Sequence, residues 1–273
     1  MTAVPTTADA VLTAPGLPRA GRPNVIADAV TIAWRNLLNI RRNPRLLVFA
    51  TIQPVIFVLM FRYVFGGAIR VPGVSYVNYL MPGIFVQTVV FGALTTGVGL
   101  ADDLNKGLVD RFRSLPMARS AVLLGRTLAD LVRNVFVVIL MCLVGVAVGW
   151  DPTGSPLAVL TGVALVLAFA YSLSWVFAIV GLTAPDSETA QAASFPILAP
   201  LVFASSAFVP VSSMPSWLQT FAEHQPVTAV VDAVRELTLA GTAGNHLASA
   251  LAWIIGIIVV CAPIAVARYQ RVA

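Results

Sequence analysis

The sequence predicts an all-α polytopic membrane protein with six transmembrane helices. Hydrophobic residues make up 58% of its 273 residues, and charged residues only 11%. A soluble domain carries about 25% charged residues, and the mean hydropathy here is +0.88. A soluble fold with so few charges could not cover its surface, so the excess apolar area must face lipid.

The N-terminal 43 residues predict two different elements. Residues 1–24 are rich in Ala, Thr, Pro and Gly without an apolar period, which predicts a disordered cytoplasmic tail rather than a signal peptide. In residues 25–43, Ile26, Val30 and Trp34 recur at helical spacing beside several arginines. This pattern favours an amphipathic helix at the membrane interface. The alternative is a helix packed on a soluble partner.

Apolar runs place all six spans within one transmembrane domain, residues 25–273. The predicted spans are 46–65, 79–101, 131–150, 157–183, 191–209 and 249–267. Asp130 and Arg133 fall at the inner edge of the third span, three residues apart, and could pair on one helix face. The region 210–248 is too polar for a span, and Pro210 and Pro215 interrupt it. We expect it to form an outer re-entrant element with one or two short helices at the outer interface.

The positions of the basic residues predict that both termini are cytoplasmic. Of the 17 lysines and arginines, only Arg62, Arg70 and Arg235 fall on the predicted outer side, as the positive-inside rule requires. The sequence pI near 9.8 therefore reflects membrane orientation, and we expect no nucleic-acid partner.

Residues that would support catalysis or ion coupling are missing from the sequence. The only lysine, Lys106, lies in LNKGL and does not complete a P-loop,. The two histidines and two cysteines lack the spacing of a metal site,. The central parts of the predicted spans contain no Asp, Glu, Lys or Arg, so no proton or sodium relay is evident. We therefore expect no enzyme activity, metal or cofactor in this chain, and a transporter of this kind would take its energy from another subunit.

Two segments, in this order and on opposite faces, carry a family resemblance. They are ADDLNKGLVDRFRSLPMARSAVLLGR at 101–126 and FVPVSSMPSWLQTFAEHQPVTAVVDAVREL at 208–237. With the order of spans, they resemble the permease subunits of type-2 ABC exporters, in the daunorubicin/doxorubicin-resistance branch, over residues 25–270. Asp102 and Asp103 stand where many relatives have a Glu-rich stretch.

The resemblance implies half of an ATP-driven exporter in the cell membrane. Two permease chains, as a homodimer or a heterodimer, would form the pathway, and two separate P-loop ATPase subunits would hold ATP and Mg. The cargo would be a hydrophobic or amphipathic drug, lipid or secondary metabolite, moved outward. The alternative is a membrane anchor or scaffold that recruits a cytoplasmic partner without transport.

Three groups of residues are candidates for function. The first group lies on a helix at 102–115, ended by Pro116, which would couple to the ATPase. The alternative is an ordinary solvated helix. The candidate coupling residues are Asp103, Lys106, Asp110, Arg111, Phe112, Arg113, Leu115 and Pro116. Polar residues within spans could line a substrate pathway or form helix–helix hydrogen bonds: Gln53, Gln87, Thr88, Ser205 and Ser206. The third group is an apolar stripe at helical spacing, formed by Met214, Trp217 and Phe221. It would gate the outer end of the helix bundle or only plug it. Ser212 and Ser213 could cap the short helix that carries this stripe.

Overall fold

The chain forms a bundle of α-helices. The computed structural model describes residues 25–42, 44–67, 69, 71, 73–107, 119–241 and 244–272, and their regular structure is helical. The helices are α1 (Val25–Arg42), α2 (Pro44–Leu59), α3 (Tyr76–Asn105), α4 (Arg119–Val148), α5 (Pro156–Thr183), α6 (Ser187–Phe203), α7 (Ser216–Glu223), α8 (Pro226–Arg235) and α9 (Asn245–Val272). Short π-helical stretches, Met60–Phe65 and Glu236–Ala240, continue α2 and α8.

Four of the described helices are long and apolar enough to cross a membrane. They are Tyr76–Asn105, Ala121–Val148, Pro156–Thr183 and Asn245–Arg271. The predicted first span falls on α2 and its continuation, whose described apolar part, Thr51–Phe65, is shorter. The predicted fifth span falls on α6, which has 17 residues. The third span was predicted to begin at 131, whereas α4 begins at Arg119.

Helix α3 occupies the centre of the bundle and packs most closely on α5. Glycines permit this approach, because a Cβ on Gly97 would lie 2.5 Å from the Phe177 carbonyl oxygen and 3.2 Å from its carbon. A Cβ on Gly181 of α5 would likewise clash with the backbone of Gly97. Small residues at a helix crossing let the backbones approach, which is how helices gain packing contacts in lipid.

Turn chemistry starts two of the helices. The hydroxyl of Ser155, in the DPTGSP turn, accepts from the backbone N–H of Ala158 at 3.2 Å and caps α5,. Asp186, in the APDSE loop, accepts from the backbone N–H of Thr189 at 2.6 Å and caps α6. This backbone hydrogen bond holds the pKa of the Asp186 carboxyl below its ordinary value,.

The first helix packs on α4 with one face and leaves a second apolar stripe exposed. Ala29 and Ile32 are buried against Gly125 of α4. Ile26, Val30 and Trp34, four residues apart, are exposed. Exposed apolar side chains in such a row suit contact with a membrane surface.

The two short helices before α9 differ from each other. Helix α7 is exposed, whereas α8 buries Val227, Val230, Val231 and Val234 among α3, α5 and α9. The valines of α8 recur on one face and pack inside the bundle, and the expected position of both helices at the outer interface stays a prediction. The expected caps of α7 were wrong: the Ser213 hydroxyl donates to the Pro210 carbonyl, and α7 starts after Pro215 without a side-chain cap.

Candidate functional site

A cavity of about 450 Å³ opens between α2, α3, α4 and α6. Its volume lies in the range of small-molecule sites. The lining residues are Gln53, Pro54, Gln87, Thr88, Phe91, Gly92, Leu94, Thr95, Arg133, Asn134, Val137, Gln191 and Phe195. The structure thus combines apolar walls with several amide and hydroxyl groups.

Three of the five predicted pathway residues meet at this cavity. Gln87 and Thr88 are buried in its floor, and Gln53 is exposed at its rim. The Thr88 hydroxyl donates to the Ile84 carbonyl of its own helix at 2.7 Å, so its oxygen keeps the capacity to accept.

The other two predicted residues lie elsewhere. Ser205 and Ser206 follow the end of α6 and are buried. The Ser205 hydroxyl donates to the Val202 carbonyl at 2.6 Å, and the Ser206 hydroxyl donates to the Asp232 carboxylate at 2.7 Å. Neither lines the cavity, and their role in a substrate pathway stays a prediction.

Polar residues of α4 and α6 complete the cavity lining, and the sequence interpretation missed them. Arg133 and Asn134 lie in the middle of α4 because this helix begins at Arg119. A span beginning at 131 placed them at the membrane edge instead. Gln191 of α6 lies at the exposed rim, together with Thr95 of α3. The three-residue spacing of Asp130 and Arg133 on a helix was the available signal.

The predicted pair of Asp130 and Arg133 is confirmed, and it ties α4 to α3. Their nearest charged atoms are 3.2 Å apart. The guanidinium also donates to the Gly92 carbonyl at 2.8 Å and to the Thr95 hydroxyl. The Thr96 hydroxyl donates to the other Asp130 oxygen at 2.5 Å. A charge inside an apolar bundle is tolerated when it is paired in this way.

A second Asp–Arg pair lies at the other end of α3. The Arg235 guanidinium contacts the Asp232 carboxylate at 2.5 Å. The carbon atom of the guanidinium lies 3.8 Å from the centre of the Tyr79 ring. It donates to the backbone carbonyls of Tyr79 and Ser206 at 3.2 and 2.9 Å. The Tyr79 hydroxyl also donates to the Ser206 carbonyl, at 3.0 Å. The bonds to Ser206 supply hydrogen-bond partners to a backbone carbonyl that the end of α6 leaves outside a helix. Such partners are needed inside an apolar bundle, where water does not satisfy the backbone.

The predicted coupling segment is described only at its start. Asp102 and Asp103 belong to the last turn of α3, which ends at Asn105, and Gly107 has φ +66°. Residues 102–105 are helical as predicted, but the predicted continuous helix 102–115 is interrupted after this turn, because the left-handed Gly107 terminates α3,. The candidates at positions 108–118 lie outside the described residues: Asp110, Arg111, Phe112, Arg113, Leu115 and Pro116.

The described coupling candidates form ion pairs. Lys106 lies 2.6 Å from Asp102, and this hydrogen bond raises the pKa of the Lys106 ammonium. Asp103 pairs with Arg126 of α4, and both are largely buried. The pair joins the helix before the segment 108–118 to the helix after it.

The predicted outer stripe lies on the surface of the described chain. Trp217 is 73% exposed and Phe221 44% exposed. Met214 is half-buried, and its carbonyl accepts from the Gln219 side chain at 2.7 Å. The placement brings the three residues to one short surface element, and their role as a gate stays a prediction.

The sequence matches one family model and several curated proteins. The model described as ABC-2 type transporter matches residues 28–239, a range that contains every cavity-lining residue. The chain is 34% identical over 254 residues to the daunorubicin resistance ABC transporter permease protein DrrB1 of Streptomyces coeruleorubidus, covering 93% of this chain and 89% of that protein.

Two further relatives carry related names. The chain is 26% identical over 248 residues to the probable doxorubicin resistance ABC transporter permease protein DrrC of Mycobacterium tuberculosis, covering 90% of this chain and 89% of that protein. It is also 26% identical over 222 residues to the putative transport permease ycf38 of Porphyra purpurea, covering 77% and 74%.

Proposed function

The chain belongs to the ABC-2 type transporter family, and we propose that it is the permease subunit of an ATP-driven exporter. In this proposal it moves a hydrophobic or amphipathic compound, such as a drug, lipid or secondary metabolite, out of the cell. The observation that carries the proposal is the cavity, in which apolar walls from four helices surround a polar floor. Relatives named as drug-resistance permeases support the same class of cargo.

The energy would come from two copies of a separate P-loop ATPase, which would hold ATP and Mg, with a second permease chain completing the pathway. No P-loop sequence occurs in this chain,, and the described residues contain no cluster of metal ligands. The segment 108–118 would dock on the ATPase. The ion pair of Asp103 and Arg126 supports this role, because it fixes the two helices that lead into and out of the segment.

Six spans with both termini in the cytoplasm remain part of the proposal. Helix α2 and its π-helical continuation together run from 44 to 65, which at about 1.5 Å per residue is long enough to cross the hydrocarbon core. Helix α6 and the irregular residues after it would form the fifth span, with the carbonyls of Ala204, Ser206 and Phe208 receiving side-chain hydrogen bonds.

Reconstitution with the ATPase tests the function. We expect proteoliposomes containing the chain and its ATPase to transport an amphipathic probe only when ATP is present. The Arg111→Glu/Phe112→Ala variant is expected to lose both complex formation and transport. If that variant retains both, the docking assignment is wrong. Stable complex formation without ATP-dependent movement of any amphipathic probe would favour the scaffold instead.

A further inference from the structure

Two buried amides on the cavity floor have a polar atom without a hydrogen-bond partner. Gln87 is 2% exposed and Asn134 is 3% exposed. Among the described residues, Gln87 Oε1 and Asn134 Nδ2 are buried without a hydrogen-bond partner. Such groups are costly to leave unsatisfied inside a protein. The two amides lie on facing helices, α3 and α4, and both line the cavity. A cavity occupant that reaches these two atoms would supply the partners that they lack.

The charge beside these amides is already neutralised. Arg133 contacts Asp130 and donates to the Gly92 carbonyl and the Thr95 hydroxyl. The Asp130 carboxylate, in turn, accepts from Thr96. The remaining residues that line the cavity are uncharged. A charged ligand would leave water without meeting an unpaired counter-charge, which is unfavourable.

The walls of the cavity define the rest of the ligand. Phe91, Leu94, Val137 and Phe195 provide apolar surface above the floor, and polar residues appear again only at the exposed rim. A molecule that fills about 450 Å³ would therefore place an apolar body against these side chains and direct a polar group inward.

We infer that the cavity recognises an uncharged polar group with both a hydrogen-bond donor and an acceptor, such as a carboxamide, on an otherwise apolar molecule. Gln87 and Asn134 hold this group from α3 and α4. Because each side-chain amide carries both a donor and an acceptor, a ligand that carries both satisfies either orientation of the two amides. This inference rests on the proposed function and names the substrate class of the same site.

A matched set of probes tests the recognition directly. Tritiated dodecanamide is bound to the full-length chain in lipid nanodiscs, and empty nanodiscs give the background of lipid partitioning. Unlabelled dodecanamide, dodecylamine and methyl dodecanoate then compete. Dodecylamine and methyl dodecanoate have an apolar chain similar to that of the amide. Dodecylamine is a cation, and methyl dodecanoate has no hydrogen-bond donor. We expect each to compete about ten-fold more weakly than the amide. Equal competition by all three overturns the inference.

Two polar-to-apolar substitutions assign the effect to the floor. Gln87→Leu and Asn134→Leu are each expected to weaken dodecanamide binding about ten-fold and to reduce its advantage over methyl dodecanoate. Ser174→Ala is the control, because the Ser174 hydroxyl donates to Ala170 within α5 at 3.0 Å and does not line the cavity. Circular dichroism and elution volume verify that each variant is folded. Unchanged binding in both folded leucine variants contradicts the inference, and if either variant does not fold, the probe competition on the unmodified chain decides.

Parallel transport measurements separate this inference from the proposed function. If the reconstituted complex exports probes regardless of their polar group, the permease function stands and amide recognition is overturned. If dodecanamide binding depends on Gln87 and Asn134 but no probe moves with ATP, recognition stands and the exporter function is overturned.

Discussion

Two Asp-x-x-Arg sequences, at 130–133 and 232–235, form similar ion pairs but belong to different environments. Both pairs reach across to the backbone of α3, one at Gly92 and the other at Tyr79. Beside Arg133 the backbone is continuous helix, and two neighbouring amides have polar atoms without partners next to a cavity. Beside Arg235 the backbone is irregular, and the guanidinium donates to the Ser206 carbonyl.

The difference shows that the motif does not determine the role of a buried polar group. An irregular segment in an apolar bundle needs side-chain hydrogen bonds for its backbone, so the groups around Arg235 act as structural contacts. A continuous helix satisfies its own backbone, so polar groups near Arg133 are available to a ligand. Changes near Arg235 should therefore alter stability, and changes near Arg133 should alter binding.

The largest effect is expected from Arg235→Met. The substitution keeps apolar contact, removes the cation that pairs with the Asp232 carboxylate and leaves it, within the described part of the chain, only the Ser206 hydroxyl as a donor. It also removes one donor to the Ser206 carbonyl. Breaking such a pair in a mostly buried position costs about 3 kcal/mol. Thermal unfolding of the detergent-solubilised chain measures this loss. A melting temperature equal to that of the unmodified chain would show that the pair does not stabilise the break after α6.

Two glycines of α3 sharpen the comparison, because each faces one of the two environments. A Cβ at Gly83 would lie 2.6 Å from the carbonyl carbon of Ala207. This carbon belongs to the backbone, so no side-chain rotation can relieve the clash. A Cβ at Gly92 would lie 2.7 Å from Asn134 Oδ1, which belongs to a rotatable side chain. Gly83→Ala should therefore destabilise the fold by about 1–3 kcal/mol.

The matched Gly92→Ala variant should retain nearly normal stability and lose affinity for dodecanamide, because the Asn134 amide must move. Thermal unfolding and the nanodisc binding measurement, made on both variants, give the two readouts. The comparison fails if Gly92→Ala is the less stable of the two or if Gly83→Ala alone weakens binding while keeping full stability.

A smaller effect is expected from Tyr79→Phe. The variant removes the hydroxyl that donates to the Ser206 carbonyl at 3.0 Å and keeps the ring under the Arg235 guanidinium. Since Arg235 still donates to that carbonyl, the loss should be about 1 kcal/mol. Thermal unfolding checks it, with Tyr63→Phe on the exposed end of the first predicted span as the control. A loss as large as that of Arg235→Met would mean that the hydroxyl, rather than the ion pair, holds the segment.

Much of the helical architecture was predictable from local chemistry. Apolar runs located the helices, and the turns with Ser155 and Asp186 contain the caps that start α5 and α6. The start of α4 was not predictable in the same way, because the polar residues before 131 hid a helix that continues across them. The predicted span therefore placed Arg133 and Asn134 at its edge, and they were not included among the pathway candidates.

Two further features of the structure depend on tertiary partners. The break after Phe203 is stabilised by side chains from α3 and α8, so a sequence pattern within α6 could not assign Ser205 and Ser206 to it. The valines of α8 share one face, which indicates an apolar contact but does not identify α3, α5 and α9 as the elements it meets. In contrast, Gln53, Gln87 and Thr88 were predictable, since polar residues within apolar spans point to the bundle interior.

Blocking the cavity tests the central claim most directly. The test uses a chain in which Cys142 and Cys261 are replaced by alanine. Two matched cysteines are then introduced into this chain. Phe91→Cys lies in the cavity lining, and Phe136→Cys lies on the exposed face of α4. After labelling with a maleimide, each complex is reconstituted with the ATPase, and ATP-dependent transport of dodecanamide is measured. The account predicts that labelled Phe91→Cys loses transport and labelled Phe136→Cys keeps it. Undiminished transport by fully labelled Phe91→Cys would contradict a route through this cavity.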